Sequence, residues 1–181
     1  PIKDTKIEVI HPPMKIIENS NVDTQKDGPR YWLYVGTVEE RKDVLLLIKA
    51  VQKLNEKLPL YIIGDGKKYL SQVKEYVMTN HLEKQIIFLS HISDQELHRY
   101  YQGALAVIYP SMYEGFGLPI LEAIQYGKPV ITTHSSSLPE AGGSIALYIK
   151  AGDVNDLMEK MTYVLAGYAP SNEQVQKHLS H

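Results

Sequence analysis

From residue 31 onward, short apolar segments alternate with longer segments whose apolar residues recur at helical spacing. The apolar segments predict strands at 31–36, 60–64, 85–90, 105–110, 129–133 and 145–149. The periodic segments predict helices at 44–54, 68–80, 94–104, 120–127 and 153–167. Short strands that are apolar on both faces and joined by helices form parallel sheets that are covered on both sides. The alternation therefore predicts an α/β fold with a doubly wound parallel sheet.

Residues 1–30 lie outside this alternation. Residues 6–13 predict a short strand that runs into a proline-stiffened turn, and the polar stretch 18–30 predicts a surface loop. The length of 181 residues is that of one domain. Because the sequence does not begin with methionine, we expect it to be a segment of a longer protein.

The composition excludes several classes of protein. A hydrophobic share of 44% and a charged share of 22% are typical of soluble globular domains. A net charge of −2 provides no broad positive field for nucleic acid or anionic lipid. The sequence has no cysteine, which excludes disulfides and thiolate metal sites and is typical of a reducing compartment. No apolar run approaches the roughly 18 residues that cross a bilayer, so we expect no transmembrane segment.

The predicted topology indicates where a ligand would bind. In doubly wound sheets, ligands lie beyond the carboxyl ends of the strands, where the strand order reverses. The candidate loops are those that follow the predicted strands, at 36–43, 64–67, 90–94, 110–119 and 133–142.

The loop SMYEGFGLP has the features of a phosphate-binding loop. Gly115 and Gly117 allow a close approach to the backbone that side chains would block. Pro119 suits the first turn of a helix, where its missing N–H has no partner to lose. Amides at the start of that helix would be unpaired and would favour an anion. They belong to Gly117, Leu118 and Ile120.

Two carboxylates, Glu114 and Glu122, frame this loop. Eight positions along one helix would place them about 80° apart, but glycine and proline interrupt the helix. We therefore predict that Glu114 lies on the loop and Glu122 in the helix, with both facing one pocket. Carboxylates accept hydrogen bonds from sugar hydroxyls, so a ligand with phosphate between two sugars would suit the site. Alternatively, Glu114 is solvated and Glu122 complements the helix dipole, and the spacing alone does not decide.

Residues 110–133, PSMYEGFGLPILEAIQYGKPVITT, resemble the signature of the family 4 retaining glycosyltransferases. The hallmark of that family, E-x7-E, is present as Glu114 and Glu122. The similarity covers residues 31–167 in the order and spacing of the family. The other matching segments are YVGTVEERK (34–42), IIGDG (62–66), IIFLSHIS (86–93) and SSLPEAGG (136–143).

Members of this family have two facing Rossmann-like domains, an arrangement called the GT-B fold. The resemblance implies that residues 31–181 form the C-terminal, nucleotide-sugar-binding domain. Residues 1–30 would then form the interdomain connection and a surface loop, and the N-terminal acceptor domain would be absent.

The resemblance also implies roles for the residues of the glycine loop. Glu114 would contact hydroxyls of the donor sugar, and Glu122 would hold the ribose of the nucleotide. Backbone amides would line the sugar and the diphosphate. They are those of Gly115, Phe116, Gly117 and Leu118.

The loop GTVEERKD follows the first regular strand and contains two cations. Gly36 permits a close approach, and Arg41 and Lys42 bring positive charge to the place where a leaving diphosphate would develop negative charge. The resemblance makes Lys42 the diphosphate-binding lysine. Many members have an arginine where this chain has Thr37, and we expect Arg41 to substitute for it. On the residues alone, such a pair is more often solvated surface.

Two further loops border the predicted nucleotide site. GDG, at 64–66, predicts a tight turn in which Gly64 borders the nucleotide. By the resemblance, the backbone around Ile92 contacts the base with Asp94 nearby, although Asp94 as a helix cap is an equal alternative. We assign Glu140 a structural role.

The reaction implied by the resemblance is transfer of a hexose from a nucleotide diphosphate sugar to a glycan or lipid-linked acceptor, with retention at the anomeric carbon. We expect no metal and no other cofactor, because the sequence has no D-x-D and no histidine pair at metal-ligand spacing. The expected location is cytoplasmic, at the inner face of a membrane. The chain alone should bind donor and transfer nothing.

Two other classes of protein remain open. One is a non-catalytic nucleotide-sugar-binding module. The other is a related GT-B enzyme, either an epimerase, which needs no acceptor, or a phosphorylase, which uses free phosphate.

Overall fold

The computed structural model describes residues 30–180, so the predicted strand at 6–13 and all of the loop at 18–30 except Arg30 lie outside the described residues. The strands are β1 Trp32–Val35, β2 Leu60–Ile63, β3 Ile86–Leu89, β4 Ala106–Tyr109, β5 Val130–Thr133 and β6 Leu147–Ile149. The helices are α1 Val44–Lys53, α2 Lys68–Thr79, α3 Asp94–Gly103, α4 Leu118–Gln125, α5 Leu138–Gly142, α6 Val154–Leu165 and α7 Asn172–Leu179. A 3₁₀ turn, Glu40–Lys42, precedes α1.

The six strands form one sheet in the order β3-β2-β1-β4-β5-β6, and every neighbouring pair is parallel. The chain moves outward from β1 to β3, returns to lie beside β1 as β4, and then moves outward in the other direction. Trp32 of β1 pairs with Leu60 on one side and Ala106 on the other. The predicted doubly wound parallel sheet is confirmed, with its switch point between β1 and β4.

Helices cover both faces of the sheet. Right-handed crossovers put α1 and α2 on one face, and they put α3, α4 and α5 on the other, because the direction of winding reverses after β3. The two helices after β6 cover different faces, since α6 packs against α1 and α7 packs against α4. Each face of the central strands is therefore removed from water.

The core lies along the central strands. All four residues of β4 and of β5 are buried, as are the first three of β1. The rings of Tyr34 and Tyr109 stack across the sheet, with centroids 5.9 Å apart. Burial of each large apolar side chain contributes about 1.5–3 kcal/mol, so these continuous apolar strands account for much of the stability.

Two helices, α5 and α7, are absent from the sequence prediction. The five residues of α5 are too few for helical periodicity to show. In α7 only Val175 is buried, so the apolar stripe that marks other helices is missing. The start of α7 has a detectable signal, because Ser171 and Gln174 form a capping box.

The predicted cap of α3 is wrong. Asp94 is the first residue of the helix, and Ser93 is the residue that caps it. The side chain of Ser93 accepts from the amide of Glu96, whose carboxylate in turn accepts from the amide of Ser93. Both residue types are good caps, and the reciprocal bond to Glu96 favours serine.

Among residues 30–180, no helix has the length and apolar character that crossing a membrane requires.

Candidate functional site

The loops that follow β1 and β4 meet at the switch point of the sheet. The amide of Met112 donates to the carbonyl of Arg41 over 2.7 Å, and the hydroxyl of Ser111 donates to the same carbonyl over 3.3 Å. These bonds join two segments that are far apart in the chain, because β1 and β4 are neighbours in the sheet. The predicted glycine loop and the predicted cation loop therefore form one site.

Glu114 lies at the centre of this site, and its side chain is only 10% exposed. Its Oε1 atom accepts from the hydroxyls of Tyr109 at 2.9 Å and Ser111 at 3.0 Å. The same oxygen lies 2.9 Å from Nη1 of Arg41 and 3.7 Å from Nζ of Lys42. Within residues 30–180, the side-chain hydrogen bonds and ion pairs of Glu114 all end on Oε1, so Oε2 keeps its acceptor capacity.

These contacts decide between the two interpretations of Glu114. A carboxylate that is nearly buried requires charge and hydrogen-bond partners, and Glu114 has both. Its backbone carbonyl also accepts from the hydroxyls of Ser136 and Ser137, at 2.6 and 3.0 Å. Glu114 is therefore a fixed loop residue and not a solvated one.

The two cations of the cation loop have different environments. Lys42 is buried, with Nζ 5.6 Å from the centroid of the Tyr109 ring. Arg41 is 41% exposed; its Nε bonds Oε2 of Glu39 at 2.9 Å and its Nη1 bonds the carbonyl of Tyr113 at 2.7 Å. The 3₁₀ turn Glu40–Lys42 directs both side chains towards Glu114. The solvated-surface alternative is therefore wrong for Lys42.

Tyr109 remains protonated beside Glu114. Burial, followed by the negative charge of Glu114, raises the pKa of Tyr109 far above neutrality. The hydroxyl therefore donates its hydrogen to the carboxylate at all physiological pH values.

Glu122 lies in the second turn of α4 and is held by a separate group. The hydroxyl of Tyr101 donates to Oε2 of Glu122 over 2.6 Å. The predicted placement of Glu114 on the loop and Glu122 in the helix is confirmed, since α4 begins at Leu118. The interpretation of Glu122 as a simple partner of the helix dipole leaves this hydrogen bond without explanation.

The start of α4 partly contradicts the predicted set of free amides. The amide of Ile120 donates to the carbonyl of Gly117 over 2.9 Å, because a tight first turn follows the left-handed backbone of Gly117. The prediction for Ile120 is therefore wrong. Within the described residues, the amides of Gly117 and Leu118 donate no backbone hydrogen bond.

The glycines of this loop differ in what they permit. Gly117 has a φ of 88°, and a Cβ there would lie 3.0 Å from the side chain of Leu138, so packing of α5 also requires glycine. A Cβ at Gly115 would meet nothing within 4 Å, which leaves open space beside its backbone. Phe116, between them, packs against the core.

Gly36 and Gly64 lie side by side at the ends of β1 and β2. A Cβ on Gly36 would lie 3.3 Å from Nζ of Lys42, so Gly36 makes room for the lysine. A Cβ on Gly64 would lie 2.1 Å from the carbonyl oxygen of Gly36, so the two backbones touch. The position of Gly64 beside a nucleotide stays a prediction, and its structural role is close packing.

Ile92 and Glu140 belong to other elements than the Glu114 cluster, and Thr37 lies in the same loop as Arg41. Ile92 is partly buried in the loop after β3, which is two strands from β1. Glu140 is exposed in the first turn of α5. Thr37 is exposed and lines a cavity of about 540 Å³ between the loops after β1 and β2. In residues 30–180, no three histidine or acidic side chains are grouped so that they could hold a metal ion.

Sequence reasoning missed the hydroxyl groups that hold the two carboxylates. Tyr109 and Ser111 stand at the end of a buried strand, and Tyr101 lies on the buried face of α3. In an apolar pattern a tyrosine indicates core, and its hydroxyl partner depends on tertiary contacts. The local signal was the position of Ser111 directly after a strand end.

The fold and the site together define a Rossmann-like α/β domain with a carboxylate–cation cluster at its switch point. The chain belongs to the family described as glycosyl transferases group 1, whose sequence profile matches residues 15–178.

Individual relatives agree with this family. The O-antigen chain mannosyltransferase B of Escherichia coli is 37% identical over 129 residues, which are 69% of this chain and 34% of that protein. The apo structure of the lipopolysaccharide outer core galactosyltransferase WaaB has a TM-score of 0.73 at 24% identity, covering 86% of this chain and 46% of the other. The chain thus spans less than half the length of these relatives.

A third relative is a single domain. The C-terminal domain of the group 1 glycosyl transferase LpcC from Francisella tularensis has a TM-score of 0.64 at 22% identity. The match covers 82% of this chain and 84% of that domain. These structural likenesses confirm the predicted fold, a Rossmann-like domain of glycosyltransferase type.

Proposed function

We propose that this chain is the donor-binding, C-terminal half of a family 4 retaining glycosyltransferase. The whole protein would transfer a hexose from a nucleotide diphosphate sugar to a glycan or lipid-linked acceptor. The observation that carries the proposal is the cluster of Glu114, Arg41 and Lys42 at the switch point of a doubly wound sheet. Ligands of such sheets bind at this point.

The cluster suits a donor that combines sugar hydroxyls with phosphate. Oε2 of Glu114 accepts hydrogen bonds from the donor sugar, while Tyr109 and Ser111 hold Oε1. Lys42 and Arg41 lie beside the same oxygen, Oε1, and bind the diphosphate. The open backbone at Gly115 and the amides of Gly117 and Leu118 complete the phosphate environment.

The nucleoside occupies the adjacent part of the groove. Glu122 accepts hydrogen bonds from the ribose, and the backbone around Ile92 meets the base. Both residues belong to the face of the sheet that α3 and α4 cover, so the ligand extends from the switch point towards β3.

The chemical step breaks the bond between the anomeric carbon and a phosphate oxygen. Negative charge then develops on the leaving diphosphate, and Lys42 is buried where charge interactions are strong. Arg41 takes the place of the arginine that is missing at Thr37. We propose that these two cations stabilise the leaving group without a metal.

The names of the relatives suggest the kind of sugar and of acceptor. Their names describe a mannosyltransferase of the O-antigen chain and a galactosyltransferase of the lipopolysaccharide outer core. We propose a hexose donor, a glycan or lipid-linked acceptor bound by the other half, and a location at the cytoplasmic face of a membrane. The chain alone binds donor and transfers nothing.

Calorimetric binding of UDP-, GDP- and ADP-sugars tests the proposal. One class should bind, and Glu122→Ala and Lys42→Ala should each weaken binding at least about tenfold, the value of one charge-assisted hydrogen bond. Lys128→Ala is the matched control. Lys128 is also partly buried, but it precedes β5 and so lies at the amino ends of the strands, opposite the proposed site. The proposal fails if no nucleotide sugar binds, or if both variants bind like the unaltered chain.

Product analysis with the longer protein separates the related enzymes. Isomerised sugar without acceptor would indicate an epimerase, and a requirement for free phosphate would indicate a phosphorylase. Binding without any product would indicate a non-catalytic module.

A further inference from the structure

Among residues 30–180, the Glu122 side chain accepts a hydrogen bond from the hydroxyl of Tyr101. Tyr101 is 1% exposed, and its hydroxyl donates to Oε2 of Glu122 over 2.6 Å. Because Tyr101 is buried, this bond fixes one carboxylate oxygen of Glu122 from the side of the protein interior. No side-chain hydrogen bond to Oε1 of Glu122 is present among residues 30–180, so that oxygen remains an acceptor for a ligand.

The Tyr101 ring is itself fixed by its neighbours. It stacks on Tyr126 with the centroids 5.3 Å apart and the planes 9° from parallel. The hydroxyl of Tyr126 in turn bonds Nδ1 of His98, on the same helix as Tyr101. The stack therefore ties α3 to the end of α4 and leaves the Tyr101 hydroxyl little freedom.

In the contact between Tyr101 and Glu122, the tyrosine is the hydrogen-bond donor. Burial, and next the charge of Glu122, raise the pKa of Tyr101 well above its usual value. The hydroxyl therefore stays protonated and donates its hydrogen, and Glu122 stays the acceptor.

We propose that Tyr101 is the positioning residue for Glu122 and thereby sets the preference of the nucleotide site for ribose over 2′-deoxyribose. This inference rests on the proposed function, in which Glu122 accepts from the ribose hydroxyls. A glutamate has three side-chain torsions, and fixing them costs conformational entropy. Since Tyr101 holds the carboxylate before the ligand arrives, the ribose does not bear that cost.

The test compares nucleoside diphosphates with their 2′-deoxy forms. Affinities of UDP, GDP and ADP and of dUDP, dGDP and dADP are measured by calorimetry, and the ratio for the base that binds is the readout. The unaltered chain should prefer ribose by about tenfold, as one hydrogen bond to a charged group gives. Tyr101→Phe should reduce this ratio to less than about threefold and leave the affinity for the deoxy form within about twofold.

Tyr126→Phe is the matched control. It removes a hydroxyl from the other ring of the same stack, but that hydroxyl faces His98 and not Glu122. The ribose ratio should therefore remain at the value of the unaltered chain. General loosening of the fold would lower the affinities for the ribose and the 2′-deoxyribose nucleotides alike and would leave their ratio unchanged.

A double variant shows whether Tyr101 acts through Glu122. Glu122→Ala should abolish the preference, and Tyr101→Phe added to Glu122→Ala should change the ratio no further. The inference is overturned if Glu122→Ala abolishes the preference while Tyr101→Phe keeps the full ratio. The proposed function is overturned instead if no nucleotide binds, or if Glu122→Ala keeps the preference. Tyr101→Phe removes one oxygen and keeps the stack, and circular dichroism checks its fold.

Discussion

The guanidinium of Arg41 lies 2.9 Å from Oε1 of Glu114, and the two residues come from loops that follow different strands. The contact exists because β1 and β4 are neighbours at the switch point of the sheet. Arg41 is 41% exposed, so water weakens its attraction for the carboxylate, but Glu114 is nearly buried and depends on its partners. The pair therefore holds the carboxylate in place where a ligand would use it.

Arg41→Ala should weaken binding of the nucleotide sugar about tenfold or more, because the variant removes a cation and one of the partners of Glu114. Calorimetry with the donor found in the binding screen measures the change. Arg30→Ala is the control. Arg30 also pairs with an acid, Glu56, but it precedes β1 and so lies at the amino ends of the strands, away from the site. Equal affinities for the Arg41→Ala variant and the unaltered chain would contradict a role of Arg41 in the site.

Tyr109→Phe should lower the affinity for the nucleotide sugar about threefold to tenfold, with little effect on the bare nucleoside diphosphate. The variant removes one of the two hydroxyls that donate to Glu114, so the sugar-binding carboxylate is held less firmly. Tyr31→Phe, whose hydroxyl donates to the carbonyl of Tyr100, is the control and should keep both affinities. A similar loss for both ligands would show that Tyr109 acts on the whole loop and not on Glu114.

Gly64→Ala should destabilise the fold by about 3 kcal/mol, from steric overlap and positive-φ strain together. The new Cβ would lie 2.1 Å from the carbonyl oxygen of Gly36, and the φ of Gly64 is 150°. Thermal unfolding should show a decrease of about 6–12 °C for a domain of this size. Gly152→Ala is the control, because Gly152 has a φ of 76° but a Cβ there would meet nothing within 4 Å. This variant therefore measures the positive-φ strain without steric overlap and should cost only about 1–2 kcal/mol.

Asp43→Asn should stabilise the protein at neutral pH. Burial, its largest influence, raises the pKa of Asp43 above the usual value, although its side chain caps α1 by accepting from the amide of Leu46. A raised folded pKa means that the contribution of Asp43 to stability is complete below about pH 3.9 and is lost as the pH rises through the folded pKa. Asparagine keeps the cap, tolerates the φ of 44° and carries no charge.

The difference in melting temperature between Asp43→Asn and the unaltered chain should therefore grow as the pH is raised from 3.5 to 7. Asp153→Asn at the cap of α6, where φ is −95°, should give no such gain, because the helix start loses a favourable negative charge. A difference for Asp43→Asn that does not vary with pH would exclude desolvation as its cause.

Much of the candidate site could be predicted because its residues follow strand ends. Glu114, Arg41 and Lys42 stand in loops after apolar runs, and the rule that parallel strands direct these loops to one edge places them together. Their partners could not be predicted. The free amide expected at Ile120 was wrong because the left-handed turn at Gly117 closes a local hydrogen bond, a detail of backbone geometry.

The sequence by itself determined the elements and their class. Continuous apolar runs and helical periodicity report burial, which is a local property of each segment, and they identified six strands and five of the seven helices between residues 30 and 180. The tertiary structure decided which strands are neighbours, and so brought Arg41 to Glu114 and Tyr101 to Glu122. Pairs of this kind depend on sheet order and on the direction of each side chain, and no local pattern of residues contains either.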